Sequence, residues 1–238
     1  MVCAGLVAMK QIRPLGDERV FAHCVYCGAH PDSRDHVPPR VLLDEPYPEN
    51  LPVVPSCRRC NESFSLDEEY VAALLDCVAV GSARPSEHHR DRIRSILERK
   101  PALAAALENA RSVDPVNGSV VFEPDASRLN DVVVRLARGH AAFELHSAEY
   151  DDPVGVSVCP IGLLDEKALE LFETLPSVSL YPEVGSRAML RMYEHGVFSP
   201  SWIVVQPGRY RFLASPGPPL MVRIVIGEYL ACEVVLRD

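Results

Sequence analysis

The sequence predicts an α+β fold in three parts: a small cysteine-rich N-terminal module (20–70), a helical connector (71–113) and a C-terminal α+β domain with a mostly antiparallel sheet (114–238). Three observations predict it. Two CxxC pairs, Cys24/Cys27 and Cys57/Cys60, enclose a stretch rich in Pro and charge with little helical periodicity. The residues after them read as helix. The end of the chain is a succession of β-branched and aromatic blocks separated by Gly and Pro. With 238 residues the chain can bury a core of its own.

Taken in order, 1–22 is a lead-in with room for a short strand. It lacks a basic n-region and a cleavage site, so no signal peptide is expected. From 23 to 65 the module is too loop-rich to build a core without a staple. "SLDEEYVAALLDCVAV" predicts a helix with Ser65 as N-cap and acids near the positive end of its dipole. Gly81 to Pro85 ends it. "SEHHRDRIRSILERKPALAAALENARSV" predicts further helix, with Pro101 as a break or a new first turn. His88 and His89 are adjacent on a helix and so diverge, which reads as a surface pair. "GSVVFEP" predicts a strand, "DASRLNDVVVRLARGHAAFELH" an amphipathic helix, "VGVSVCPI" a strand and "LLDEKALELFETL" a helix. "AMLRMYEH", "SWIVVQP" and "YRFLAS" read as strands. "LMVRIVIGEYLACEVVL" is too long for one strand and predicts two, turning near Gly227.

The eight cysteines divide evenly. Cys3, Cys77, Cys159 and Cys232 are scattered singly and read as small buried hydrophobes. The other four form the two CxxC pairs, with 29 residues between Cys27 and Cys57. Each pair makes a tight turn that aims two thiolates at one point, and two such knuckles complete a tetrahedral Zn²⁺ site. Gly28 after the first pair suits that turn. Four thiolates leave no open position, so this zinc is expected to be structural.

The segment between and just after the knuckles carries hydrolytic pieces. Neutral His36 is suited to a general base near neutral pH. Asp35 beside it is a hard oxygen ligand. Asn61, directly after Cys60, adds a carbonyl oxygen, and Asn50 is placed to hold the imidazole or brace the loop. In "RDHVPPR" the prolines stiffen the exit from a strand.

The stretches "CVYCG", "RDHVPPRVL", "ENLPVVPSC" and "CRRCN" together resemble the HNH endonucleases of the ββα-metal, or His-Me finger, superfamily in their zinc-ribbon form. The resemblance covers about residues 22–70. It implies a ββα-metal module, with His36 as general base, Asn50 orienting it, and Asp35 and Asn61 as ligands of a catalytic Mg²⁺ or Mn²⁺. It implies hydrolysis of phosphodiester bonds in nucleic acid, DNA first, leaving a 5′-phosphate and a 3′-hydroxyl. This chain has Ser63, Phe64 and Ser65 where the family often carries a basic residue after the third motif position. Arg34, Arg40, Arg58 and Arg59 flank the site and are the candidates for phosphate contacts.

A net charge of −9 argues against a protein that coats nucleic acid nonspecifically. No apolar run reaches the roughly 20 residues of a membrane span, and the expected compartment is the cytoplasm. The C-terminal domain has no assigned role and could serve a homodimer or a regulatory partner. Two other readings stand beside the nuclease. One is a non-catalytic zinc-ribbon module that binds nucleic acid or protein. The other is a conditional nuclease, of a defence or toxin type, held inactive by the C-terminal domain.

Overall fold

The β-branched blocks at the chain end pair with one another because each strand has a short turn to its neighbour. Trp202–Gln206 (β7), Tyr210–Ser215 (β8), Leu220–Ile226 (β9) and Leu230–Arg237 (β10) run antiparallel in sequence order. Gly155–Pro160 (β6) adds antiparallel to β10, and Leu6–Ala8 (β1) adds parallel to β7. The six strands lie in the order β1-β7-β8-β9-β10-β6. The computed structural model describes residues 6–8, 21–174, 181–195 and 200–238, so most of the lead-in and Cys3 fall outside it.

Two small hairpins and the helices complete the α+β architecture. Ser33–His36 (β2) and Val53–Ser56 (β3) form an antiparallel hairpin. Arg58–Val80 (α1), Asp91–Arg99 (α2) and Pro101–Asn109 (α3) follow. Arg111–Val113 (β4) and Val120–Phe122 (β5) make a second hairpin. Ala126–His140 (α4) continues into a π-helical turn at Ala141–Leu145. Glu166–Glu173 (α5) and Arg187–His195 (α6) are the remaining helices.

By contact the chain forms two compact units, residues 1–62 with 133–238, and residues 63–132. The first unit is built on the large sheet. Tyr210 and Phe212 alternate with Leu213 along β8, so they face opposite sides of it. On one side the buried His140 ring stacks on Phe212 with centroids 3.6 Å apart and bonds the Tyr210 hydroxyl at 2.8 Å. On the other, Phe172 of α5 joins Trp202, Leu213, Val225 and Ala231 in one apolar cluster. Covering both faces explains why every residue of β9 is buried. The one cation in β9, Arg223, bonds Glu233 and the carbonyls of Leu171, Phe172 and Thr174, as a buried charge requires.

In the second unit Tyr70, Val71, Leu74, Ile93, Ile96, Leu97, Leu107, Phe122 and Leu129 are buried. Arg128 lies over the Tyr70 ring and bonds Asp67 at 2.5 Å.

Four expectations change. Helix α1 starts at Arg58, not after Ser65, because Asp32 accepts from the Arg58 N–H at 2.5 Å and caps the helix from a distant loop. Residues 188–195 are helical rather than strand. Ser186 caps them, its Oγ accepting from Met189 N–H at 3.2 Å. The "RSV" end of the second helical stretch is strand β4, and Pro101 opens α3. His88 is buried, its Nδ1 2.6 Å from Asp76 Oδ2, while His89 is exposed. A buried carboxylate drew that histidine inward, which adjacency alone does not reveal.

Candidate functional site

The site begins with the two knuckles. At Cys24–Cys27 the chain folds back on itself, with Gly28 N–H donating to the Cys24 carbonyl at 2.9 Å and Gly28 at φ +73°. Val25 N–H donates to the Pro55 carbonyl at 3.1 Å, which ties this knuckle to β3. The second knuckle spans the end of β3 and the first turn of α1. The four sulfurs lie within 4.8 Å of one another, and Cys27 and Cys57 are 3.7 Å apart. Sulfurs placed about 2.3 Å from a tetrahedral zinc are about 3.8 Å from each other. The donor set therefore fits a structural metal such as zinc, one of the soft-ligand metals that four thiolates in this geometry suit.

The thiols are already biased unequally. Burial pushes the Cys24 thiol up, but backbone hydrogen bonds at Cys57, Tyr26 and Cys27, with the Cys27 thiol, outweigh it and bring the group to about 7. Burial and the neighbouring thiols push Cys60 far up. A bound cation would hold all four deprotonated.

Hairpin β2/β3 carries the Asp35-His36 pair. Alternation along β2 puts Ser33 and Asp35 on one face and Arg34 and His36 on the other, in line with an exposed Arg34, a buried Asp35 and a half-buried His36. Burial, helped by the Arg40 charge and opposed by Asp35, holds the His36 imidazole below its usual pKa. It is neutral at pH 7 and able to accept a proton. The chain leaves the strand through Val37, Pro38 and Pro39, all buried, into a short turn at Arg40–Leu42. The loop then docks on the large sheet. Asp44 N–H donates to Gln206 Oε1 at 2.8 Å, and Gln206 Nε2 returns a bond to the Asp44 carbonyl at 2.9 Å.

Asp35 is only 7% exposed, and one of its oxygens is heavily used. Oδ2 accepts from the Tyr26 hydroxyl at 2.6 Å and from Arg135 Nη2 at 2.6 Å. Arg135 is 3% exposed. Its guanidinium lies over the Tyr26 ring, 4.7 Å from the centroid, and its Nη1 donates to the Cys60 carbonyl at 3.2 Å. Asn61 shares the Asp35 side of the strand: its Nδ2 donates to Ser33 Oγ at 2.8 Å and to the Arg34 carbonyl at 3.2 Å. Its amide oxygen is therefore turned away from those two acceptors.

As folded, the Asp35/Asn61 pair does not fit a hard divalent ion. Such an ion takes carboxylate oxygen at about 2.1 Å, and Asp35 Oδ2 already holds a full positive charge and a hydroxyl. Asn50 lies in the turn that Leu51 N–H closes onto the Pro48 carbonyl at 3.3 Å. Among the described residues no hydrogen bond joins it to His36. Arg34, Arg40, Arg58 and Arg59 are all exposed, and Arg40 sits 5.5 Å over the Tyr47 ring.

Four contributors escaped sequence reasoning: Asp32, Tyr26, Arg135 and Gly139. Tyr26 had a faint signal as an aromatic placed between two ligating cysteines. Arg135 stands in the apolar run "VVVRLA", where a lone charge needs a partner, but nothing local names Asp35 as that partner. A Cβ built on Gly139 would come within 2.7 Å of Val37 Cγ2 and 3.3 Å of the Tyr26 hydroxyl, so glycine lets α4 approach the hairpin closely. Compared with known proteins, the chain matches no family model, no curated protein and no solved structure.

Proposed function

We propose that the N-terminal module is an HNH-type endonuclease unit, with His36 as the base that hydrolyses phosphodiester bonds in nucleic acid, DNA first. The observation that carries this reading is a ββα arrangement. A hairpin ends in a half-buried, neutral histidine, a helix opens on Cys-x-x-Cys-Asn, and four thiols gather where the two meet. A zinc ribbon alone would not require a histidine kept neutral at a strand end.

In this reading His36 takes a proton from water as the water oxygen attacks phosphorus. The bond to the 3′ oxygen breaks, leaving a 5′-phosphate. Exposed Arg34, Arg58 and Arg59 supply phosphate contacts, with Arg40 beside the base. The resemblance assigns Asp35 and Asn61 to a catalytic Mg²⁺ or Mn²⁺, but with Tyr26 and Arg135 on Asp35 Oδ2 the pair does not fit that ion as folded, and no step is routed through it. The Asp35–Arg135 ion pair specifically favours the conditional form of the reading, in which the nuclease is slow until that pair opens.

The test is plasmid nicking by zinc-loaded protein with Mg²⁺ or Mn²⁺, beside His36→Ala. Loss of a general base lowers a rate by roughly 10²–10⁴-fold, so nicking is expected to fall into that range while zinc content stays at one. Equal nicking by both proteins would remove His36 from the chemistry. Zinc without cleavage in either would leave a binding scaffold or an unopened nuclease.

A further inference from the structure

The geometry points to a built-in latch: the Arg135 guanidinium stands in for a divalent cation at Asp35, so that metal binding and the Asp35–Arg135 pair exclude one another. This rests on the HNH reading for the identity of Asp35 as a ligand. The guanidinium spans the ground between the two residues that reading assigns to the metal. One nitrogen holds Asp35 Oδ2 at 2.6 Å, and the other holds the carbonyl of Cys60, the residue just before Asn61, at 3.2 Å. Tyr26 fixes the plane from below and bonds the same carboxylate oxygen.

A planar fork with two directed bonds and an aromatic floor is a built seat, not a passing surface contact. A dication and a guanidinium on one buried carboxylate repel in a poorly screened setting. Entry of the metal therefore requires Arg135 to leave.

Arg135 is tied to the hairpin through α4. It lies on α4 one turn before Gly139, whose missing Cβ lets the helix sit against Val37, the residue after His36. Helix seating and latch closure are one event. Drawing this end of α4 off the hairpin would withdraw the guanidinium, free Asp35 and relieve the contact behind His36 together.

The experiment titrates Mn²⁺ into zinc-loaded protein by electron paramagnetic resonance, for wild type, Arg135→Gln and Arg135→Gln/Asp35→Asn. Arg135→Gln is expected to bind one Mn²⁺ at least about 100-fold more tightly than wild type, a difference well within the repulsion of nearby charges, and the double variant is expected to lose it. Tight wild-type binding that Asp35→Asn abolishes, or a folded Arg135→Gln no tighter than wild type, overturns the latch. If Arg135→Gln fails to keep its zinc, Gly139→Ala, which wedges α4 away from Val37, takes its place with the same two outcomes. Plasmid cleavage on the same samples separates the latch from the nuclease. Gain of Mn²⁺ without cleavage keeps the latch and removes the nuclease. Wild-type cleavage with no gain in Arg135→Gln does the reverse.

Discussion

Asp35 and His140 show how little a residue's chemistry follows from its type. Asp35 is a carboxylate beside a histidine, yet its strongest partners are a buried arginine and a buried tyrosine. Asp35→Ala removes the carboxylate that Arg135 and Tyr26 share, and breaking such a buried pair from one side costs roughly 3–5 kcal/mol. Urea denaturation of the zinc-loaded protein checks this, and a loss under about 1 kcal/mol would mean that the pair is not formed in solution. His140 is the opposite case, a histidine kept uncharged. Burial takes it down to about 3, against about 6.5 in an unfolded chain. Between those values the unfolded state binds the extra proton. Its contribution is thus intact above pH 6.5 and is lost as pH falls, at up to about 1.4 kcal/mol per pH step of one. The difference in urea stability between wild type and His140→Gln, followed from pH 7.5 to 4.5, should shrink or invert on acidification. A constant difference would place the ring in water. At this scale the four ligating cysteines were legible because spacing alone defines a knuckle. The partner of Asp35 was not, since it lies 100 positions away in sequence.

Among the elements, the strands of the large sheet and the helix at Glu166–Glu173 were readable because alternation and capping are local signals. Asp165, for example, caps α5 by accepting from Ala168 N–H at 2.7 Å. The start of α1 was not, because its cap arrives from Asp32 in another loop. Residues 188–195 mix Met, Leu and Tyr, which suit either state, and the Ser186 cap decided for helix. Two predictions belong here. Gly139→Ala puts a methyl within 3 Å of both Val37 methyls, and overpacking of this kind costs about 1–3 kcal/mol. A thermal midpoint equal to wild type would show that α4 does not sit this close. Zinc removal should release the hairpin and the first turns of α1, since small metal modules lose their fold with their ion. Hydrogen exchange after chelation is expected to speed up over residues 24–62 and to stay slow in β8–β10, whose burial does not depend on the thiols. Uniform protection would show that the module stands without metal.

At the scale of the whole molecule, the α+β class and the mostly antiparallel sheet were legible in composition and turn placement. The sequence texture changes near 70 and 113, whereas the compact units divide at 62/63 and 132/133, inside α1 and α4. Both points lie inside continuous helices, so no turn marks them. Among the described residues no helix is long and apolar enough to cross a membrane.

That interleaving sets an order of events during synthesis. The last of the four clustered thiols is made at Cys60, but the arginine that holds Asp35 comes later still, 100 residues after Asp35 itself. A ribosome adding about 5–20 residues per second leaves roughly 4–15 s in which the hairpin has been made and its carboxylate has no arginine. Throughout that interval Asp35 can have the Tyr26 hydroxyl but not the Arg135 guanidinium. Nascent chains arrested before residue 135 should therefore leave Asp35 without its arginine, and the pair forms only once α4 is made.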